Sequence, residues 1–324
     1  MAICLLVLGN ESGPQAAPTG KKYYDGELTI AAPATRPATP AGPAAVTMAT
    51  PKGQVTAAQP MELGRFDIPV TALLAYQRAA DILAEVKPSC ALRWTLLAAI
   101  GRVESDHGRY GASNLGADGV SRPEVVGVPL DGQGQVATIA DTDGGQWDGD
   151  PRWDHAVGPM QFIPATWEVV GVDGDGDGKR SINDIDDAAL AAGIYLCAGS
   201  ENLNVPGAVD AALHRYNDSD SYAALVLAYE RKYEGGDFVV TAPGGALAAA
   251  SATLSLHPLA GTPLKANSPA EARTQAKIKA DAKHAVAAAD KNGGRTPGIS
   301  SATAPGKVVA AALTTPSETR GAQA

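Results

Sequence analysis

The sequence predicts a mainly α domain with a disordered, Ala/Pro-rich arm on each side, and three observations carry that reading. Fourteen of the sixteen aromatic residues fall between Phe66 and Phe238, so the bulky side chains that offset the entropy of ordering are confined to about 170 residues. Within that window apolar residues recur at the helical period in several runs. No alternating run is long enough for a major sheet, and no repeat is present.

Residues 1–20 begin "MAICLLVLG", which is too short to span a bilayer and lacks the basic region of a complete signal peptide, so they read as part of an export signal. An Ala/Pro-rich disordered linker over 21–62 leads into the domain, residues 63–238. In "IPVTALLAYQRAADILAEV" the apolar side carries Leu73, Leu74, Ala80, Leu83 and Val86, and Pro88 ends the helix. The helix of "WTLLAAIGRVES" follows and is expected to stop at Gly108. Residues 112–155 are rich in Gly, Asp and Pro, and an irregular segment this long inside a compact domain suits the wall of a cleft. "HAVGPMQFIPATW" reads as a loop entering a helix at Pro164, and "DIDDAALAAGIYLCAG" as a helix of small residues. Two more helices are broken at "YNDSD", where Asn217 and Asp218 favour a turn. The tail, 239–324, is expected to be disordered, with "ARTQAKIKADAKHAVAAADK" a solvated linker rather than a fraying basic helix.

Residues 66–238 hold 12 basic and 27 acidic side chains, whereas 239–324 hold 9 and 4. An acidic domain lacks the clustered cations that a phosphate backbone requires, which excludes nucleic acid as a partner. Of the three cysteines, Cys4 sits in the leader, leaving Cys90 and Cys197 as the pair in the domain. They could be two separately buried thiols; in an exported chain a disulfide is the expected state.

Glu104 is the residue that breaks pattern. At 100° per residue it falls in the same arc as Leu96, Leu97, Ile100 and Val103, while Arg102 and Asp106 point the other way. An inward carboxyl is either a last-turn residue at the cleft rim, or one paired to a nearby Arg, or a proton-bearing group in a partly apolar cleft, which is a general acid. A second motif is "DGDGDGKRSIND": Asp173, Asp175, Asp177 and Asp184 stand at positions 1, 3, 5 and 12 of a calcium-type loop, with Gly178 at 6 and the Lys179 carbonyl at 7. Arg180 at position 8 and the short Asp184 at 12 depart from that pattern, and the alternative is a solvated acidic turn. The histidines show no metal-binding spacing, and no phosphate loop or Ser/Cys nucleophile with a His partner is found, so no organic cofactor is expected.

"VESDHGRYG", "AVGPMQFIPATW", the Asp/Gly loop, "IDDAALAAGIYL" and "ALHRYNDSDSY" occur in that order over about residues 70–235. In this the chain resembles lytic murein transglycosylases of the membrane-bound lytic transglycosylase B (MltB)-like group, some of which carry a related acidic loop. The resemblance implies a lysozyme-like fold and cleavage of the MurNAc-β-1,4-GlcNAc bond of peptidoglycan to a 1,6-anhydromuramoyl end. It makes Glu104 the catalytic acid and base. Gln161 would hydrogen-bond the sugar, with Gly158 and Met160 forming the wall, and Tyr216 and Asn217 match the late motif beside the Glu. Without the Glu motif, Gln161 reads as a helix-start amide and Tyr216 as a core aromatic. The implied protein is an exported, cell-wall-associated monomer of murein turnover that binds glycan strands, with a structural calcium and tails that touch the wall or membrane surface. Two other readings stay open. One is a hydrolytic muramidase using Asp106, Asp118, Asp131, Asp141 or Asp143 as second carboxylate, and the other a non-catalytic glycan-binding module.

Overall fold

The structure, a computed structural model, describes residues 67–133, 136–199, 202–242 and 268–293. The expected export-signal segment 1–20, with Cys4, and the linker 21–62 lie outside them. The described chain is mainly α, with short strands only in pairs.

Strand β1 (Asp67–Pro69) leads into helix α1 (Val70–Val86), which buries Leu73, Tyr76, Ala79, Ile82 and Leu83. This face is rotated from the expected one: Leu74, Ala80 and Val86 are only half-buried, because Tyr76 and Ile82 dominate the side turned to the core. Helix α2 (Trp94–Ser105) is buried on nearly all sides. It stops before Gly108, because Asp106 and His107 both adopt left-handed geometry (φ 52° and 59°), which Asp and His tolerate better than most residues.

From there to α3 the chain makes antiparallel pairs of β2 (Asn114–Leu115) with β3 (Ser121–Arg122), and of β4 (Val126–Pro129) with β5 (His155–Val157). Aspartates shape this segment: Asp141 Oδ1 accepts from the amides of Asp143, Gly144 and Gly145, and Asp143 Oδ2 from that of Trp147, turns in which the carboxylate replaces a backbone carbonyl. Pro164 opens helix α3 (Pro164–Val170), and Asp184 caps α4 (Ile185–Leu196). The small residues of α4 let it pass close to α1 at the centre of the core. Helices α5 (Ala208–Tyr216) and α6 (Asp220–Glu234) follow, with α6 lying along α2. A Cys90–Cys197 disulfide, with Cα atoms 5.5 Å apart, ties the turn after α1 to the end of α4 across 107 residues of sequence.

Past the expected boundary at 238, two described segments of the tail expected to be disordered, 239–242 and 268–293, form elements of their own, and the rest of 239–324 lies outside the described residues. Strand β6 (Val239–Thr241) pairs in parallel with β1, closing the domain's two ends on each other. Helix α7 (Pro269–Lys291), capped by Ser268, buries Ile278, Ala282, Ala285, Val286 and Ala289 against α1, α3 and α4. Alanines at this spacing add little to hydropathy but allow close helix approach. The contact is completed by Lys87, whose Nζ lies 2.6 Å from both Asp290 Oδ1 and the Gly199 carbonyl. No helix among the described residues is long and apolar enough to cross a membrane.

Candidate active site

Glu104 ends up where the helical wheel places it, buried at the last turn of α2 with 4 % of its surface exposed. Its Oε1 accepts a 2.6 Å hydrogen bond from the Tyr222 hydroxyl, and Oε2 is buried with no protein partner. Burial raises its pKa to about 8, against the smaller downward pull of the Tyr222 hydrogen bond. Neither the rim nor the paired-Arg reading fits: at this burial Glu104 is not at a rim, and the nearby Arg102 and Arg109 are engaged with Asp67 and Asp106. Among the described residues no charged group contributes to the Glu104 shift.

Three helices deliver the side chains around it. Ser219 caps α6 by accepting from the Tyr222 amide, which sets Tyr222 in the first turn, facing Glu104. Tyr216, the last residue of α5, donates to the Met160 carbonyl at 2.8 Å and stacks edge-on against Tyr195. Burial first, and then the Glu104 charge, raises both phenols well above their usual range, so they remain donors. Ser105 hydrogen-bonds the Pro159 carbonyl at 2.6 Å and accepts from the Gly108 amide, tying the end of α2 to the loop carrying the Gln161 motif.

In that loop Gly158 has φ +81°, and a Cβ there would run into the Ile182 carbonyl. Met160 is fully buried. Gln161 is held at φ +49°, a conformation that costs about 1 kcal/mol or more outside glycine and is found at functional sites. Its Nε2 donates to the Gly158 carbonyl at 3.0 Å, and it lines a small cleft with Phe162, Ile163, Thr166, Tyr195 and Tyr216. Asn217 is buried, and its Oδ1 has no partner. The structure therefore sets Tyr222 on Glu104 and Tyr216 on the Met160 carbonyl, with Gln161 and Tyr216 lining one small cleft. Sequence reasoning missed Tyr222 and Ser105. The helix break at Asn217–Ser219 was the available signal for Tyr222, since it starts a new helix one turn before that residue.

The aspartates considered as a second carboxylate are committed elsewhere. Asp106 binds Arg102 and Arg109, Asp118 binds Arg122, Asp131 binds the Gln133 amide, and Asp141 and Asp143 hold their own loop. His107 is buried against Tyr76 at 3.0 Å and Tyr233 at 3.5 Å, and desolvation pushes its pKa well below 6.5, so it stays neutral in the core.

In the acidic loop, Asp173, Asp175 and Asp177 bring one carboxylate oxygen each to within 4.8 Å of one another, a hard-oxygen set that fits a divalent cation. Lys179, expected to offer its carbonyl, donates its amide to Asp177 Oδ1 on the same turn. Asp184 is not part of the group: its side chain is used in capping α4, where it accepts from the Asp186 amide. The carboxylate that closes the loop is Asp187, which accepts from the amides of Gly174 (2.6 Å) and Ser181 (2.7 Å). Twelve-residue counting could not reach it. Asp141, Asp143 and Asp154 form a second such group in the segment before β5.

Residues 142–201 match the family model described as Transglycosylase SLT domain. That span holds Gly158, Met160, Gln161, the acidic loop and α4, while Glu104 and Tyr216 lie to either side. With this match, the mainly α architecture fits the lysozyme-like transglycosylase domain. The chain has no match among curated proteins.

Proposed function

We propose that the protein is an exported lytic transglycosylase of the MltB-like type, cleaving the MurNAc-β-1,4-GlcNAc bond of peptidoglycan and leaving a 1,6-anhydromuramoyl end. The observation that carries this is the solitary Glu104, buried, protonated near neutral pH, with one oxygen on Tyr222 and the other without a protein partner. Glu104 gives its proton to the glycosidic oxygen as the C1–O bond breaks and the electron pair leaves with that oxygen. The N-acetyl oxygen of the sugar shields the cation at C1, the substrate-assisted alternative to a second carboxylate. The Glu104 carboxylate, held by the Tyr222 hydroxyl, then takes the proton of the C6 hydroxyl as O6 bonds to C1. No water is consumed, and the acid is regenerated.

Gln161 and Asn217 supply polar contacts to the sugar, with Gly158, Met160 and Tyr216 shaping the wall. Asp173, Asp175 and Asp177 would hold a calcium ion, whose charge offsets their mutual repulsion and stiffens the loop. A hydrolytic muramidase is disfavoured because its candidate second carboxylates are already engaged.

Mass analysis of products from purified peptidoglycan, using wild type and Glu104→Gln, tests the reading. Anhydromuramoyl fragments from wild type alone are expected. Products heavier by one water would replace it with the muramidase. Sedimentation with the polymer and no fragments from either protein would leave a glycan-binding module.

A further inference from the structure

We propose that helix α7 belongs to the cation site, and that Lys277 sets the affinity of that site by competing with a divalent ion for Asp173. The inference rests on the calcium reading above and is independent of the transglycosylase reading.

Lys277 Nζ lies 3.6 Å from Asp173 Oδ2 and 2.9 Å from Asp281 Oδ2, so an ammonium already stands against one carboxylate of the trio. The helix also touches the loop backbone. Gly176 sits at φ +82°, and a Cβ on it would collide with Thr274 and approach Ile278 Cδ1 to 3.3 Å. A cavity between loop and helix is lined by Asp173, Gly178, Lys277, Asp281 and His284. The far end of α7 is anchored away from the loop, where Asp290 meets Lys87 and the Gly199 amide.

These contacts define a linkage. A hard cation needs the Asp173 oxygen that Lys277 now attracts, and a positive charge a few ångströms away opposes a divalent ion. Lys277 has Asp281 one turn on to retain it when displaced, so exchange leaves the ammonium paired. By reciprocity, whatever Lys277 takes from cation affinity, the cation takes from the docking of the first half of α7.

Calorimetric titration of calcium into the full chain and into Lys277→Gln reads this directly, and Lys277 is exposed enough for the variant to fold. The variant should bind calcium about three- to tenfold more tightly, with a difference that shrinks as salt is added. Lys279→Gln is the control, because Lys279 lies on the same helix but its Nζ pairs with Glu85 at 2.6 Å and with none of the trio. An equal gain there would reduce the effect to general surface charge and overturn the proposal. Calcium should also speed amide exchange over residues 272–282 in wild type and not in Lys277→Gln. Equal affinity of Lys277→Gln and wild type overturns this inference alone; no calcium binding by any of the three proteins overturns the calcium reading with it.

Discussion

Replacing Glu104 with Gln should make the protein more stable, by an amount that depends on pH. The folded carboxyl has a pKa of about 8 against 4.5 for a free one. Between those values the folded chain holds a proton that the unfolded chain releases, so stability falls as pH rises through this window. At about 1.4 kcal/mol per unit, the loss reaches about 3 kcal/mol at pH 7 and about 5 kcal/mol above pH 8. Gln fills the same volume, keeps an acceptor for Tyr222 and never ionises. Its advantage should be near zero at about pH 4 and should grow to about 3 kcal/mol at pH 7, or ~6–12 °C in melting temperature for a domain of this size. Calorimetric melting of both proteins across this range is the assay, and every other titrating group cancels in the difference. Parallel curves would mean that the carboxyl ionises at its ordinary pKa, and the argument for a proton-bearing acid would fail.

Tyr222→Phe removes the hydrogen bond that lowers the Glu104 pKa; turnover should drop by about ten- to a hundredfold, and the alkaline limb of the pH–rate profile should move up, whereas an unmoved limb would deny Tyr222 its role. Cys90→Ser with Cys197→Ser opens a closure of 107 residues, worth about 4–5 kcal/mol on the chain-entropy model; denaturant unfolding should show a loss of that order, and no loss would mean that the bridge constrains little. Adding calcium should raise the melting temperature and a chelator should reverse it, while an unchanged midpoint would remove the ion from the acidic loop. Gly158→Ala meets the Ile182 carbonyl at a left-handed φ and should cost about 3 kcal/mol or more, read by the same denaturant assay.

What the sequence makes legible here follows from what sets each feature. Glu104 could be placed because a helix fixes direction every 100°, and a burial pattern of four apolar residues suffices to orient a fifth. Tyr222 could not, because its approach to Glu104 depends on the turn between α5 and α6, where Asn217 and Ser219 both leave helical geometry. The strained backbone of Gln161 is likewise set by tertiary contacts. Asp184 was chosen by counting twelve residues, but a carboxylate just ahead of a helix is drawn to the free amides of the first turn, so capping wins. Helix α7 was hidden because alanine stripes give little contrast between faces, and its hold on the domain comes from pairs such as Lys87–Asp290 that are 203 residues apart.

A residue that must act first as acid and then as base needs a pKa near the working pH, and that requirement governs the surroundings of Glu104 more than any positive contact does. A guanidinium beside it would fix it as a carboxylate, and a second carboxylate beside it would make it too weak an acid to lose its proton. The end of α2 carries two arginines within five residues of Glu104, yet neither contributes to its shift. Asp67 and Asp106 hold Arg109, and Asp106 and the Tyr229 ring hold Arg102. Both charges are thus held in ion pairs of their own, and the left-handed turn at Asp106 puts its carboxylate within reach of each arginine. The early stop of α2 therefore has a chemical consequence: it gathers the cations away from the one carboxyl that has to remain unpaired. Burial and a single phenol are then left to set the Glu104 pKa between them.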